Sequence, residues 1–211
     1  KNPNEMAILL DCVVGSDPLD PLSIDINGSF KESEITDKQL ANIKIGWLKD
    51  MNNNYMFENG IITMCETRLK QLENHNISIE ALTPKINSSE MWESWTTLRA
   101  KSIFDDTESM QIRNKEEMTF QAIWEYKKGE NIKNDEIENA LKQKNNCSKV
   151  VDDIFKEYDF LVLPSAQVFP FDKNLQFPKK INNYELDTYH RWIEVFIMSS
   201  LLDLPTITVP V

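Results

Sequence analysis

The sequence predicts an α/β fold: a mixed, mostly parallel β-sheet of at least four strands, flanked by helices on both faces. Residues 160–163 and 206–211 are short runs of aromatic or β-branched residues that stop at prolines, which is typical of strands buried on both faces. Residues 43–48 and 77–82 alternate apolar and polar side chains around a helical segment, a unit that has parallel strands and a right-handed crossover. Residues 184–202 are too apolar for a surface helix and predict a buried one.

The chain opens on a predicted helix that Asn2 caps, with Pro3 at its first position and Gly15 just past its end. Apolar residues at helical spacing form one stripe along it. They are Met6, Leu9, Leu10, Val13 and Val14. A helix this close to the first residue indicates a chain cut from a longer protein. Residues 16–42 are predicted to be a polar surface connection, because two Asp-Pro pairs mark turns and the glycine and glutamate of a calcium loop are missing.

Four more helices are predicted in the middle of the chain from apolar residues spaced three and four apart. They cover residues 60–74, 88–103, 116–127 and 134–158, and Asn145-Asn146 is a weak point in the last of them. Trp92 and Trp95 have the spacing of core residues, although they could also line a pocket. We expect residues 1–211 to form a single α/β domain.

Composition and charge exclude several function classes. The net charge of −11 argues against a basic nucleic-acid interface and against a polybasic membrane patch. The longest apolar runs fall far short of the ~20 residues that a membrane helix needs. Three cysteines, far apart in the sequence, fit a reducing compartment better than a disulfide scaffold. We therefore expect a cytoplasmic protein that contacts neither membrane nor nucleic acid.

Neither a metal nor a cofactor is predicted. The two histidines, His75 and His190, and the scattered cysteines are too few for a zinc site. The 5 glycines form no Gly-x-Gly-x-x-Gly stretch for a dinucleotide and no Gly-x-Ser-x-Gly elbow for a Ser-His-Asp triad. His190 stands beside Arg191 and is expected on the surface of the last helix, where Asp187 and Arg191 are predicted to pair.

A specific order of motifs runs from residue 159 to residue 211. A strand ending in Leu-Pro-Ser is followed by a loop rich in proline and phenylalanine, a helix with Tyr and Trp, a serine-rich turn and the stretch DLPTITVPV. This order resembles the C-terminal half of the amidase signature family. The stretch NPNEMAILLDCVVGSDPLDPLSID and the strand–helix–strand unit match that family too, so the resemblance covers most of the chain. Asp203 departs from it, since a glycine commonly precedes Leu-Pro there.

The resemblance implies an amide hydrolase that cleaves carboxamide C–N bonds. Its nucleophilic serine is activated through a second serine, held by a cis peptide bond, and by a neutral lysine. The Gly/Ser-rich stretch that holds these serines, and the lysine ahead of it, lie upstream in the family and are absent here. We assign no catalytic residue, because Lys1, Lys101 and Ser165 lie outside that signature. The chain alone is expected to be inactive and to need the missing N-terminal half of the domain as its partner.

In the family, the half represented here builds the wall of the cleft that selects the small-molecule amide. The loop at residues 164–171 comes directly after a strand end, where ligands of α/β sheets collect. The candidate substrate-binding residues are Ser165, Gln167, Phe169, Phe171, Tyr189 and Trp192. The first two offer hydrogen bonds, the phenylalanines offer apolar walls, and Tyr189 and Trp192 are expected to face the loop from the last helix. The alternative is core packing for Phe171 and Trp192 and a solvated position for Gln167.

Two other functions stay open at this point. The chain could be a non-catalytic binding or interaction module that descends from an amidase, and the reading frame upstream of Lys1 would distinguish the two. A generic α/β domain would follow if residues 164–171 were buried with no cleft beside them. A chain that lacks half of its domain also predicts exposed apolar surface and self-association into a homo-oligomer.

Overall fold

The computed structural model describes residues 2–30, 36–110 and 117–211, which form helices joined to a small number of short strands. The helices are α1 (Pro3–Val13), α2 (Asp37–Leu40), α3 (Ile61–Leu72), α4 (Ser88–Ser109), α5 (Phe120–Glu130), α6 (Asn134–Ile154) and α7 (Ile197–Leu201). The strands are β1 (Lys44–Trp47), β2 (Ser78–Ala81), β3 (Phe160–Val162), β4 (Lys180–Ile181) and β5 (Tyr184–Glu185). The 3₁₀ segment Glu73–His75 follows α3, and the 3₁₀ segment Arg191–Phe196 precedes α7.

β1 is the central strand of a parallel three-stranded sheet in the order β2–β1–β3. Ile45 of β1 pairs with Ile79 on one side and with Phe160 on the other. The strands run the same way because α3 crosses between β1 and β2, and α4 to α6 lie in the connection between β2 and β3. The structure confirms the predicted α/β fold and three of the four predicted strands.

The main hydrophobic core joins the loop after β1 to α4, α6 and the segment around α7. Asn87 caps α4, because its Oδ1 accepts hydrogen bonds from the N–H groups of Ser89 and Glu90. Trp92 and Trp95 of this helix are partly buried against the core, as their spacing predicted. The buried core residues are Leu48, Met51, Tyr55, Ile86, Met91, Cys147, Val151, Val195, Ile197, Met198, Leu201 and Leu202.

α4 and α5 cross closely at the buried Gly129. A Cβ atom at this position would lie 2.7 Å from Cβ of Phe104 and closer still to the backbone oxygen of Ala100. The backbone cannot rotate away as a side chain could. We therefore expect Gly129→Ala to lower the free energy of unfolding by about 1–3 kcal/mol, although alanine is the better helix former.

Urea denaturation of Gly129→Ala measures this loss. Lys127→Ala, which is exposed on the same helix, is the matched control and should change the free energy of unfolding by less than about 0.5 kcal/mol. Equal stabilities of the two variants would contradict a tight crossing of the two helices.

α1 forms as predicted, but its apolar stripe is not buried. The Asn2 cap is confirmed, since Oδ1 accepts the N–H of Glu5 at 2.9 Å. No residue of the helix is buried, and Leu9 and Val13 are among its exposed apolar side chains. A helix gains most of its stability from packing its amphipathic face. The described residues do not bury the apolar face of α1.

Residues 206–211 form no strand, which corrects the prediction of a fourth strand in the sheet. Ile207, Val209 and Val211 are exposed. Apolar β-branched composition gives a segment the propensity to form a strand, but a strand also needs a neighbour for its hydrogen bonds. In the described part of the chain, no strand pairs with this segment.

Residues 184–202 do not form one helix, which corrects a second prediction. β4 and β5 make an antiparallel hairpin, and Asn182 in its turn has a left-handed φ of 53°, a conformation that asparagine tolerates well. Further on, Ile193 has φ −118° and interrupts the helical geometry. The apolar composition correctly indicated a buried segment. A continuous apolar run alone, however, does not show whether the side chains repeat with the period of a helix or of a strand.

The bounds of the other helices differ modestly from the prediction. α4 continues to Ser109, and α6 ends at Ile154 without a break at Asn145-Asn146. α5 begins at Phe120, capped by the Thr119 hydroxyl, which accepts the N–H of Ala122. The predicted start of this helix at residue 116 lies outside the described residues.

Candidate functional site

The candidate site lies at the carboxyl edge of the sheet, where the loops after β1 and β3 meet. The Glu58 N–H donates to the carbonyl oxygen of Gln167 at 2.8 Å, and the Phe169 N–H donates to Oε2 of Glu58 at 2.6 Å. The β4–β5 hairpin joins them through Asn182, whose Nδ2 donates to the Phe57 carbonyl oxygen at 3.0 Å. Ligands of parallel α/β sheets bind at this edge.

The buried side chain of Gln167, in the loop after β3, forms hydrogen bonds with the loop after β1 and with the 3₁₀ segment. Its side chain is 0 % exposed. Nε2 donates to the carbonyl oxygen of Met56 at 2.9 Å, and Oε1 accepts the N–H of Val195 at 3.0 Å. The alternative of a solvated Gln167 is therefore wrong. The side chain satisfies two main-chain groups that would otherwise need other partners.

Phe171 and Trp192 form an aromatic contact between the loop after β3 and the 3₁₀ segment. Their rings are nearly perpendicular, with centroids 5.3 Å apart, a favourable edge-to-face geometry. Phe171 remains 38 % exposed and Phe169 41 % exposed, and Ser165 is exposed in the same loop. Trp192 thus faces the loop as expected, and the apolar surface of this wall is open to solvent.

A surface cavity of about 500 Å³ is lined by the loop after β1, the start of α3 and the β4–β5 hairpin, and by none of the six candidate substrate-binding residues. Its lining includes Asp50, Phe57, Glu58, Asn182 and Tyr184. No local sequence pattern predicted a site at these residues. Their relation to the loop after β3 depends on hydrogen bonds between residues 111 or more positions apart, for which the local sequence carries no signal.

A buried polar cluster connects α4 and α5 to the segment before the 3₁₀ turn. Its centre is Glu125, which is 1 % exposed. One carboxylate oxygen, Oε1, accepts hydrogen bonds from Arg99 Nε at 2.7 Å, from the Tyr189 hydroxyl at 3.0 Å and from His190 Nε2 at 2.7 Å. No local sequence pattern predicted this cluster, because Arg99 lies 26 residues and His190 lies 65 residues from Glu125 along the chain.

His190 lies in the interior, which corrects its predicted surface position. It is 1 % exposed and is surrounded by aromatic rings. Its ring centroid lies 5.1 Å from that of Trp95, 5.6 Å from that of Trp124 and 3.8 Å from that of Tyr189. The prediction failed because the segment is not the regular helix on which a polar face was assigned.

The pKa of the Glu125 carboxyl lies below its ordinary value. Burial by itself raises this pKa, but the hydrogen bond and charge of His190, together with hydrogen bonds from Arg99 and Tyr189, outweigh burial. The charged carboxylate is therefore the favoured form, and His190 Nε2 must be the donor in their contact.

Tyr189 does not face the loop at residues 164–171. Its ring packs against Phe177 and Trp124, with centroids 6.1 Å and 5.7 Å away, and its hydroxyl donates to Glu125. Burial raises the pKa of this hydroxyl, and the Glu125 charge and hydrogen bond raise it further, so it stays protonated and can donate. Tyr189 thus belongs to the buried cluster rather than to the open wall.

Arg191 ties the same segment to α4. Its guanidinium lies 3.5 Å from the ring centroid of Trp92, a cation–π contact. It also donates to Asp187 at 2.9 Å, the pair that the sequence predicted, and to Glu194 at 2.7 Å. Burial raises the pKa of Glu194, and Arg191 opposes that effect.

Residues 2–30, 36–110 and 117–211 contain no group of three or more His, Cys, Asp or Glu side chains placed to hold a metal ion. Over the same ranges, no helix is both long and apolar enough to cross a bilayer.

The comparisons with known proteins agree on one family. The family model described as Amidase matches residues 1–211. The fold is similar to that of a bacterial aryl acylamidase of the amidase signature enzymes family, with a TM-score of 0.75 and 12 % identity over 95 % of this chain and 43 % of that chain. It is also similar to a structure described as an amidase, with a TM-score of 0.63 and 15 % identity over 80 % of this chain and 39 % of that one.

A third similar structure comes from the glutamyl-tRNA(Gln) amidotransferase of Thermotoga maritima, of which it is one subunit. Its TM-score is 0.59, with 17 % identity over 96 % of this chain and 42 % of that chain. A search of curated proteins found no match. The chain spans about two fifths of the length of these three solved relatives. Because the family model matches the chain over its whole length and the folds agree, this chain belongs to the amidase family, that of the amidase signature enzymes.

Proposed function

We propose that this chain is part of an amide hydrolase and supplies the scaffold and one wall of its substrate cleft. The observation that carries the proposal is the open aromatic wall of Phe171 and Trp192 at the carboxyl edge of the sheet, in a chain of the amidase family. On this proposal the substrate is a small-molecule amide, and the reaction is hydrolysis of its C–N bond.

The catalytic lysine and the two serines of the family are proposed to lie in the rest of the amidase domain. The 211 residues contain no Gly/Ser-rich stretch of the kind that holds those serines. Two features support a larger domain: the chain spans about two fifths of its solved relatives, and it exposes apolar surface on α1 and at residues 206–211. Such surface is stabilised when another part of the protein covers it. Self-association of this chain and a cytoplasmic location stay predictions.

The six candidate residues are proposed to divide into two roles. Ser165, Phe169, Phe171 and Trp192 line the cleft and contact the substrate. Gln167 and Tyr189 do not contact the substrate, because the polar atoms of both side chains form hydrogen bonds with protein groups. They are positioning residues that hold the loop and the 3₁₀ segment in place.

Phe171→Ala in the full-length protein tests the wall. We expect kcat/KM for an anilide to fall by about tenfold, because an aromatic contact contributes roughly 1 kcal/mol beyond its buried area. For a small aliphatic amide, which has no ring to contact Phe171, we expect less than about a twofold change. The measurement is steady-state hydrolysis of both substrates by the two proteins.

Phe155→Ala is the matched control, since Phe155 is similarly exposed (41 %) at the end of α6 and should leave both rates unchanged. Equal losses for both substrates in Phe171→Ala would contradict the wall. Absence of any amide hydrolysis by the full-length protein would contradict the hydrolase and favour the non-catalytic binding module. Turnover by residues 1–211 alone would contradict the absence of the nucleophile from this chain.

A further inference from the structure

A second cavity, of about 340 Å³, lies where α4, α6 and the end of α7 come together. None of the six predicted substrate-binding residues lines it. Two cationic side chains, Arg99 from α4 and Lys144 from α6, share its lining with the Ser200 hydroxyl. These groups are hydrogen-bond donors, and they meet in one concave site.

Each donor retains capacity for a ligand. Arg99 gives its Nε hydrogen to Glu125 and lies near the Tyr189 hydroxyl, but its terminal nitrogens carry four further N–H groups, and the side chain is partly exposed. Ser200 Oγ accepts the indole N–H of Trp95 at 3.1 Å, so its own hydrogen can still be donated. The Lys144 ammonium has three N–H donors, and one of them donates to Asp203 at 2.7 Å.

The Lys144–Asp203 pair can be replaced by a ligand at low cost. The Asp203 side chain is 77 % exposed, and water can solvate it when the pair opens. Surface ion pairs of this kind contribute little to stability. Glu125, the carboxylate that accepts the Arg99 Nε hydrogen, is buried and does not line the cavity, and its Oε1 accepts hydrogen bonds from three donors. With Asp203 displaced, the cavity presents two cations in a protein of net charge −11.

The rest of the lining is mostly apolar and consists of Trp95, Leu98, Ile103 and Leu201, together with Ser102, whose hydroxyl donates to Asp106 at 3.3 Å. A site that combines several donors with an apolar wall favours a ligand with an anionic head and an apolar body. Carboxylate geometry suits the arginine fork, and charge-assisted hydrogen bonds are the strong ones.

From this arrangement we infer that the cavity binds an organic carboxylate with a ring or a short alkyl chain. The carboxylate oxygens accept hydrogen bonds from Lys144, Arg99 and Ser200, and the ligand takes the place of Asp203 at Lys144. The apolar body lies along Trp95, Leu98 and Ile103. This inference concerns binding only and does not depend on amide hydrolysis.

Isothermal titration of the full-length protein with phenylacetate tests the site, with 2-phenylethanol as the neutral analogue of similar shape. We expect saturable binding of one phenylacetate per chain and much weaker binding of the alcohol. Lys144→Met keeps the apolar stem but loses the charge, and should weaken phenylacetate binding by about tenfold or more. Asp203→Asn removes the competing carboxylate and should tighten binding severalfold, and asparagine suits the left-handed φ of 55° at this position.

Lys142→Met is the matched control, because Lys142 is exposed two residues away on α6 and does not line the cavity. Equal effects of Lys142→Met and Lys144→Met would overturn the inference, as would equal affinities for phenylacetate and 2-phenylethanol. Should Lys144→Met fail to fold, Asp203→Asn decides: unchanged affinity overturns the site, and tighter binding supports it.

Discussion

Glu125→Ala is expected to lower the free energy of unfolding by about 3–5 kcal/mol, the range seen when one partner of a buried charged cluster is removed. The substitution leaves the buried His190 Nε2–H and the Tyr189 hydroxyl without their acceptor. Arg99 adds little to the loss, because its partly exposed guanidinium can turn to water. The aromatic rings around His190 offer no replacement acceptor of comparable strength.

Chemical denaturation followed by far-UV circular dichroism measures the loss. Glu130→Gln, exposed on the same helix, should change the free energy of unfolding by less than about 0.5 kcal/mol. Glu125→Gln keeps an acceptor oxygen without the charge and should fall between the two. A Glu125→Ala variant as stable as wild type would contradict a stabilising cluster.

The pH dependence of stability should identify the same carboxylate. A carboxyl whose pKa is lower in the folded than in the unfolded state contributes stability above its unfolded pKa and loses it as the pH falls through the folded value. For Glu125 the contribution should be complete at neutral pH and persist down to the ordinary value of 4.5, then decline at more acidic pH. Glu125→Gln should lack this part of the acid dependence, and parallel pH profiles of the two proteins would contradict the lowered pKa.

Gln167→Met has the second large expected effect. Methionine fills a similar volume but can neither donate to the Met56 carbonyl nor accept the Val195 N–H. Each buried main-chain group left without a partner costs roughly 1–3 kcal/mol, so the two together are expected to lower the free energy of unfolding by about 2–6 kcal/mol. The same change removes the side-chain bridge from the loop after β3 to the loop after β1 and to the 3₁₀ segment, while the main-chain hydrogen bond from the Glu58 N–H to the Gln167 carbonyl oxygen remains.

Hydrogen exchange distinguishes this local effect from general destabilisation. In Gln167→Met the Val195 amide should exchange faster than in wild type, relative to amides of α6 that do not contact the site. Gln71→Met on α3, where the glutamine is exposed, is the control and should leave both stability and Val195 exchange nearly unchanged. Unaltered protection of Val195 in the Gln167→Met protein would contradict the bridging role.

Features with a local signal were predictable. The cap at Asn2 and the parallel strands β1 and β2 follow from capping chemistry, alternation and a short crossover, which all lie within a few tens of residues. The Asp187–Arg191 pair formed as expected because its spacing of four positions suffices in a turn as well as in a helix. The expectation that Trp192 faces the loop at residues 164–171 came from the resemblance to the family rather than from spacing, and its contact with Phe171 was not predicted.

Local patterns were enough to predict the family, the parallel strand–helix–strand unit and the loop that carries the candidate wall, because apolar period, turn residues and motif order are properties of short stretches. The folded arrangement was needed to show that Gln167 is buried, that His190 contacts Glu125 in the interior, and that residues 206–211 have no strand beside them among the described residues. The hydrogen bonds that fix these side chains join residues 28 to 111 positions apart. The packing of helices against the sheet determines which distant groups come into contact, and local sequence patterns carry no information about those contacts.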